Sequence, residues 1–416
     1  MSDEQRIVIT GLGAVTPIAM NVSDYWKALE SGKSGGRRAQ NSDLQDFHVQ
    51  IAAEIDFPDD LSEYFPSKKA IRRLDRYIKY GYMAGHQAYN DAGLDMVKDR
   101  SRLGALIGTG AGGLDSHEEN IPRIGERGLS GASPFYIINA IPNTATAYLT
   151  MQKKLLGPGF SLNSACATSN HALGVGASLI RGGLADAMLV GGSEAVANQT
   201  SIAAFGVIMA LSMRNDSPET ASRPFDKNRD GFVMGEGAGA LCIERLSHAK
   251  ARGAHIYAEL SGFGFTSDAY DMVAPHPEGE GAARCINDAL RDAGIAGEDI
   301  GLINCHGTST KMGDKIEAIA INKALGPKLA SRIPAQSTKS MTGHLIGAAG
   351  AVEAIAAVGT FRNGVIHGTI NLEELDPEIN LNVSAHNRDG TGVHHILSNA
   401  FGFGGQNAVV VLSRYP

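Results

Sequence analysis

Apolar positions along the chain fall into two alternating patterns. Short runs such as Leu103-Gly104-Ala105-Leu106-Ile107, Ala187-Met188-Leu189-Val190 and Ile256-Tyr257-Ala258-Glu259-Leu260 predict strands. Longer stretches, Asp75 to Ala92 and Gly281 to Ala293, place apolar residues at helical spacing. The first strand is expected almost at once, at Arg6-Ile7-Val8-Ile9-Thr10. Strand-helix alternation of this kind predicts an α/β fold with layered helices and mostly parallel sheets.

The pattern also repeats once. Ser164-Ala165-Cys166-Ala167-Thr168-Ser169-Asn170-His171 opens a small-residue helix ending near Arg181-Gly182-Gly183, and Ser337-Thr338-Lys339-Ser340-Met341-Thr342-Gly343-His344 opens another ending near Arg362-Asn363-Gly364. Each follows a strand that ends in a glycine-bearing loop, Leu106 to Gly110 and Leu302 to Gly307. Duplication is the reading taken here, with chance similarity of two Gly/Ala-rich helices as its competitor. The cut falls near Gly253-Ala254-His255, dividing the chain into residues 1–255 and 256–416.

Composition narrows the classes. A chain of 416 residues with 43% hydrophobic content can bury one large core or two fused ones. Its 51 glycines sit in short clusters, which points to close backbone approach and tight loops rather than a linker. A net charge of -7 without a long Lys/Arg run argues against nucleic-acid binding. No signal-peptide pattern opens the chain and no apolar stretch reaches spanning length, so no membrane insertion is expected. Cys166, Cys242, Cys285 and Cys305 form no CxxC pair, which suits a reducing, cytoplasmic setting.

Candidate chemistry centres on Cys166. It lies among small residues where an extended segment is expected to run into a helix, whose N-terminal dipole and free N–H groups would lower the thiol pKa. His306, in Asn304-Cys305-His306-Gly307-Thr308-Ser309-Thr310, and His344 sit among glycines and hydroxyls rather than on an apolar face. One cysteine with two separated histidines is the inventory of a nucleophilic acyl-transfer enzyme, the imidazoles donating to a developing oxyanion or carbanion. A zinc site of the same three residues is the competing reading, disfavoured by the absence of short paired ligand spacing. Lys339 can support this site electrostatically, and Glu353, within a run of apolar and small residues, wants a partner such as Lys339. Phe401-Gly402-Phe403-Gly404-Gly405 reads as a flexible loop with an aromatic lid and backbone N–H donors.

Taken together, these motifs resemble the elongating β-ketoacyl-acyl carrier protein synthases over essentially the whole chain, most closely the synthase II type. The resemblance rests on Ile9 to Gly13, Ser222 to Asp226, Arg229 to Val233, His306 to Thr310, Lys339 to His344 and Gly402 to Gly405. It implies an α/β thiolase fold, two duplicated halves in a five-layer α-β-α-β-α sandwich, assembled as a homodimer. It implies a Claisen condensation in which Cys166 takes the acyl group and malonyl-acyl carrier protein loses carbon dioxide. His306 and His344 would promote decarboxylation, the N–H groups of Cys166 and Phe403 would hold the oxyanion, and Lys339 with Glu353 would set the local field. Thr308 and Thr310 would meet the phosphopantetheine arm brought by the carrier, and no organic cofactor is needed. Ala111, Phe205 and Phe401 would border the acyl chain, and Phe403 would gate it.

Two further sets follow from the resemblance. Asn304, Glu317, Glu353, Ser398 and Asn399 match a monovalent cation site for Na⁺ or K⁺, with a plain structural network as the other reading. Lys69, Arg72 and Arg73 match a carrier-docking patch, or form the charged face of an ordinary helix. Departures are Ala111 where a larger aliphatic is typical, Met209 for a basic residue, Val273 for a hydroxyl, Lys311 for proline, Gln406 for threonine and Cys305 for Ala or Ser. The open pocket wall at Ala111 predicts tolerance for longer or branched acyl chains. A dedicated synthase for a specialised lipid or polyketide is therefore the runner-up. A non-catalytic partner protein is disfavoured by the intact Cys166, His306, Lys339 and His344.

Overall fold

The structure is a computed structural model that describes residues 2–40, 43–58 and 60–416. Its main strands are β1 (Ile7–Val15), β2 (Leu103–Gly108), β3 (Gly159–Phe160), β4 (Ala187–Glu194), β5 (Gly237–Arg245), β6 (Ala258–Ser267), β7 (Ile300–Asn304), β8 (Pro334–Gln336), β9 (Asn382–Val383), β10 (His395–Gly402) and β11 (Gln406–Ser413). They form one 11-stranded sheet in the order β9-β8-β7-β10-β11-β6-β1-β5-β4-β2-β3. The apolar runs become strands because both of their faces are covered: all nine residues of β1 and all eight of β4 are buried.

The sheet carries one pattern twice. In the amino-terminal part β3, β2 and β4 run parallel, then β5 and β1 turn antiparallel. In the carboxy-terminal part β8, β7 and β10 run parallel, then β11 and β6 turn antiparallel. The two parts meet where Ile7 to Ile9 of β1 pairs with Ala258 to Leu260 of β6. The sheet is thus mixed, not mostly parallel as the alternation suggested. The difference arises because β4 and β5, and β10 and β11, pair as antiparallel neighbours, although a helix, Gln199–Val207, lies between the first two in the chain.

Helices complete five layers. α1 (Arg76–Asp91) and α2 (Thr144–Lys153) pack on the outer face of the amino-terminal strands. α4 (Glu280–Ala293) covers the outer face of β6 and β11, with α5 (Lys311–Leu325) against it. Between the two sets of strands lie α3 (Thr168–Arg181) and α6 (Ala349–Asn363), each touching strands of both. α6 is buried from Ala349 to Phe361, which is why its sequence shows no polar face.

Glycine makes this stacking close. A Cβ on Gly13 of β1 would lie 2.0 Å from the Ala84 carbonyl oxygen of α1. A Cβ on Gly239 of β5 would lie 2.7 Å from the Val352 nitrogen of α6. The second small-residue helix begins at Ala349, after His344, rather than at Ser337 as the repeat suggested. Only a four-residue helix, Lys339–Thr342, and a 3-10 turn, Ile346–Ala348, precede it. Among the described residues no helix is long and apolar enough to cross a membrane.

Because the Gly13 contact is with backbone, Gly13→Ala is expected to destabilise the fold by about 3 kcal/mol, the upper range of an overpacked core. Chemical denaturation checks this, the midpoint falling with little change in slope.

Candidate active site

Cys166 stands on a sharp turn. It occupies a 3-10 turn, Ala165–Ala167, and α3 proper starts at Thr168, so the expected strand running into a helix at Cys166 is a loop followed by this turn. Ala165 has φ +49°, a left-handed conformation that costs a residue bearing a Cβ. Three hydrogen bonds hold it: Ala165 N–H to Asn163 Oδ1 at 3.0 Å, Ser164 N–H to Thr168 Oγ1 at 2.9 Å, and the Thr168 hydroxyl to the Ala165 carbonyl at 2.7 Å. The turn presents the sulfur to a cavity of about 450 Å³ that His306, His344, Phe401 and Phe403 also line.

His344 faces the sulfur, with Nε2 at 3.1 Å from Sγ. Its other nitrogen, Nδ1, accepts the Ile346 N–H at 3.2 Å. A neutral imidazole that accepts at Nδ1 carries its proton on Nε2, so His344 presents an N–H to Cys166. The His306 ring stands edge-on to it with centroids 5.3 Å apart. Burial, followed by the positive charge of Lys339, lowers both histidines well below the ordinary imidazole range. Both are therefore neutral donors at physiological pH.

The same tautomer answers the zinc reading. Cys166, His306 and His344 do bring ligand atoms within 4.8 Å of one another. A metal at this point would need the Nε2 lone pair of His344, which is the nitrogen that carries the proton while Ile346 occupies Nδ1.

Lys339 and Glu353 form a fully buried ion pair. The Lys339 ammonium also donates to the His306 carbonyl oxygen at 2.6 Å, which ties the pair to the histidine loop. Burial raises the Glu353 carboxyl, and the charge and hydrogen bond of Lys339 oppose that rise. Glu317 accepts the N–H groups of His306 and Gly307, both at 2.7 Å, and Asn399 donates to it at 3.0 Å. Asn304 donates to Ser398 at 3.1 Å. Glu353 Oε2 and Asn399 Oδ1, both buried, make no hydrogen bond. Unpaired oxygens of this kind suit a hard cation, and among the described residues these two are the ones of the five that could turn to it.

The thiol differs from expectation. Burial raises Cys166 to about 11, and Lys339 together with the backbone N–H groups of Phe403 and Cys166 only partly offsets this. Desolvation outweighs the turn's dipole because the side chain is enclosed. Those two N–H groups nevertheless converge on the sulfur, which places a carbonyl oxygen bound there within their reach. The loop expected over Phe401 to Gly405 is also smaller: Phe401 and Gly402 belong to β10, and only Phe403, Gly404 and Gly405 turn into β11. Gly404 and Gly405 take φ +82° and +70° there, which glycine alone adopts without strain.

Thr308 and Thr310 line the cavity with their hydroxyls 3.0 Å apart, and Phe205 lines it beside Phe403, centroids 5.8 Å apart. Met209 and Val273 are exposed at its rim. Ala111 does not line the cavity but packs with Cys166, Phe205 and Ile346 behind it. Lys69, Arg72 and Arg73 are exposed on and just after a short helix, Lys68–Arg72, away from the cavity lining, with Arg73 over the Phe135 ring. Two residues escaped the sequence reading. Ile346 acts through a backbone N–H that no side-chain pattern marks, and Phe232 braces the His344 ring edge-on at 5.3 Å.

Comparison with known proteins gives one family. The model for the beta-ketoacyl synthase N-terminal domain matches residues 4–249, and that for the C-terminal domain matches residues 257–373. The 3-oxoacyl-[acyl-carrier-protein] synthase 2 of Coxiella burnetii is 44% identical over 414 residues, 99% of each chain. Its counterpart in Vibrio harveyi is 41% identical over 413 residues, again 99% of each. Among solved structures, a beta-ketoacyl synthase from Burkholderia phymatum superposes with a TM-score of 0.90 at 32% identity, over 99% of this chain and 100% of that one. A type II polyketide ketosynthase, solved with its acyl-carrier protein, gives 0.90 and 32% over 99% of each.

Two outcomes are expected. Lys339→Met leaves the Glu353 carboxyl buried without its partner and should cost about 3 kcal/mol, measured by chemical denaturation. Iodoacetamide reacts with thiolate, which forms above the raised thiol pKa. Its rate at Cys166 should therefore climb about tenfold per pH unit from about pH 7 to about pH 10, followed by intact mass.

Proposed function

The chain belongs to the beta-ketoacyl synthase family, and we propose that its site runs the family's decarboxylating condensation with the acyl chain held on Cys166. The reaction joins an acyl thioester to malonyl-acyl carrier protein and yields 3-oxoacyl-acyl carrier protein, the elongating step of fatty-acid synthesis. The observation that carries the assignment of roles is His344 Nε2–H at 3.1 Å from a sulfur on which two backbone N–H groups converge.

In the first half, Cys166 Sγ attacks the thioester carbonyl of the acyl carrier. The oxygen that gains charge sits between the N–H groups of Cys166 and Phe403, the C–S bond to the phosphopantetheine breaks, and the departing thiolate takes the thiol proton. In the second half, the malonyl group loses carbon dioxide and the electron pair passes into an enolate. His306 and His344, neutral and donating, hold the enolate oxygen. The carbanion attacks the acyl group on Cys166, a carbon-carbon bond forms, and the sulfur leaves as a thiolate that takes up one proton from solvent to restore the resting thiol. Neutral imidazoles suit this step because their N–H dipoles strengthen as charge develops and need no proton exchange with water.

Thr308 and Thr310 are positioned to bond the amides of the arm, which the carrier supplies; the chain needs no organic cofactor of its own. Asn304, Glu317, Glu353, Ser398 and Asn399 would hold a monovalent cation, Na⁺ or K⁺, whose fixed charge offsets two buried carboxyls. Lys69, Arg72 and Arg73 would steer an acidic carrier. A second copy of the chain would cover the sheet edge at β3, both of whose residues are exposed beside exposed Met151 and Leu156. Residues 1–255 would then be the half with the nucleophile and 256–416 the half with the histidines, in a cytoplasmic enzyme. Identity of 40–44% to fatty-acid synthases over the full chain, against 32% to the polyketide ketosynthase, favours the fatty-acid reading over a specialised pathway.

The test is incubation with malonyl-acyl carrier protein and a ladder of acyl carriers, read by intact mass and product length. An acyl adduct that vanishes in Cys166→Ala, followed by a product two carbons longer, is the expected result; no adduct with any carrier overturns the assignment. Ala111→Ile, which would crowd the layer that packs with Cys166, should shorten the longest chain accepted, and an unchanged profile would show that this layer does not bound the acyl chain.

A further inference from the structure

Glu194, the last residue of β4, is fully buried and plays no part in the mechanism above. Its Oε1 accepts the Thr109 hydroxyl at 3.0 Å and the Gly110 N–H, and the backbones of Ala111 and Gly347 turn toward the carboxyl, a Cβ on Gly347 standing 2.7 Å from Oε1. Its Oε2 has no hydrogen-bond partner. One side chain thus gathers donors from two separate turns. The first, Thr109 to Ala111, follows β2 and carries the alanine that packs behind Cys166. The second, Ile346 to Gly347, leads into α6.

The second turn is the one that sets His344. Ile346 has φ +45°, disfavoured for a β-branched residue, and only in this conformation is its N–H delivered to His344 Nδ1. Gly347, the next residue, is anchored by Glu194. We propose that Glu194 is a positioning residue: by clamping Gly347 it holds the strained Ile346 N–H on His344 Nδ1, and so keeps the Nε2–H of His344 on Cys166 while tying it to the turn at Thr109 and Gly110. This goes beyond the roles assigned above and rests on that reading only for its activity arm.

Charge gives a second line of contact. Lys339, Glu194, His306 and His344 are the titratable groups around Cys166, and a negative charge on Glu194 opposes thiolate formation. Burial raises Glu194 itself to about 7, its partners being neutral N–H and O–H groups, with Cys166 and Tyr77 the titratable neighbours it acts upon. Above that pH the clamp is a carboxylate and the thiol is harder to ionise. Replacing the carboxyl with an amide removes the charge, while the amide oxygen can keep the Oε1 contacts and the NH₂ group takes the unpaired Oε2 side.

Two variants test this. Glu194→Gln removes the charge and can retain the Oε1 contacts. Gly347→Ala leaves the charge but places a methyl 2.7 Å from Glu194 Oε1 and 2.7 Å from the Gly110 nitrogen, wedging the same junction apart. Alkylation of Cys166 by iodoacetamide across pH needs no assumption about the natural substrate. It should run about three- to tenfold faster in Glu194→Gln near pH 8, with its midpoint moved to lower pH. Malonyl decarboxylation should lose about tenfold in kcat in Gly347→Ala with KM held within twofold, the mark of an interaction used in the transition state. Thermal unfolding is followed alongside. A wild type that alkylates but never decarboxylates any malonyl carrier overturns the reaction, not the clamp. An unmoved alkylation profile in Glu194→Gln overturns the charge coupling. Unchanged kcat in Gly347→Ala overturns the clamp, whether or not Glu194→Gln folds.

Discussion

How closely the two central helices pack between the strands is the constraint on which the site depends. α3 brings Cys166 and α6 brings the support for His344, and neither could approach the other with ordinary side chains between them. A Cβ on Gly350 would meet Asn170 Oδ1 at 2.3 Å, and one on Gly192 would meet the Gly347 carbonyl oxygen at 2.4 Å. Asn170 crosses the gap and donates to the Ser398 and Ala408 carbonyls at 3.0 and 3.2 Å, stitching α3 to the hairpin that carries Phe403. Glycine and alanine are the composition of this layer because van der Waals distance leaves room for nothing larger.

Close packing has an electrostatic consequence. Water is displaced from a site that holds a thiol, two imidazoles, an ammonium and several carboxyls, so each group is pushed toward its neutral form unless a partner opposes the shift. The histidines lose their charge, and the Cys166 thiol keeps its proton. The Lys339–Glu353 pair remains as a fixed dipole beside the His306 carbonyl. The resting site is therefore a set of neutral donors aimed at a neutral sulfur. Such a site stabilises charge where it appears in a reaction, with little reorganisation.

The periodicity of the chain predicted β2, β4, α1 and α4 within a residue or a few of their bounds, because each has one unambiguous period over a stretch long enough to read. It misjudged the mixed direction of the sheet, since strand direction depends on which neighbours pair and not on local pattern. It misplaced the start of the second small-residue helix and made a loop of Phe401 and Gly402, because glycine-rich stretches look alike in a strand, a turn or a tightly packed helix. Cys166 and the two histidines that the structure gathers around it were legible because the types themselves are chemical and their surroundings were too small and polar to be a core.

By itself, then, the sequence determined which side chains carry chemistry, the family they resemble and the alternation that builds the layers. Tertiary structure alone decided the state those side chains are in. The N-terminal turn at Cys166 promised a lowered thiol pKa, and burial reversed it. The proton of His344 was assigned by a backbone N–H of Ile346, and the next residue, Gly347, rests on Glu194, which comes from a strand far earlier in the chain. Protonation and tautomer are set by solvent exclusion and by which donors converge in space, and neither quantity is written in the order of residues.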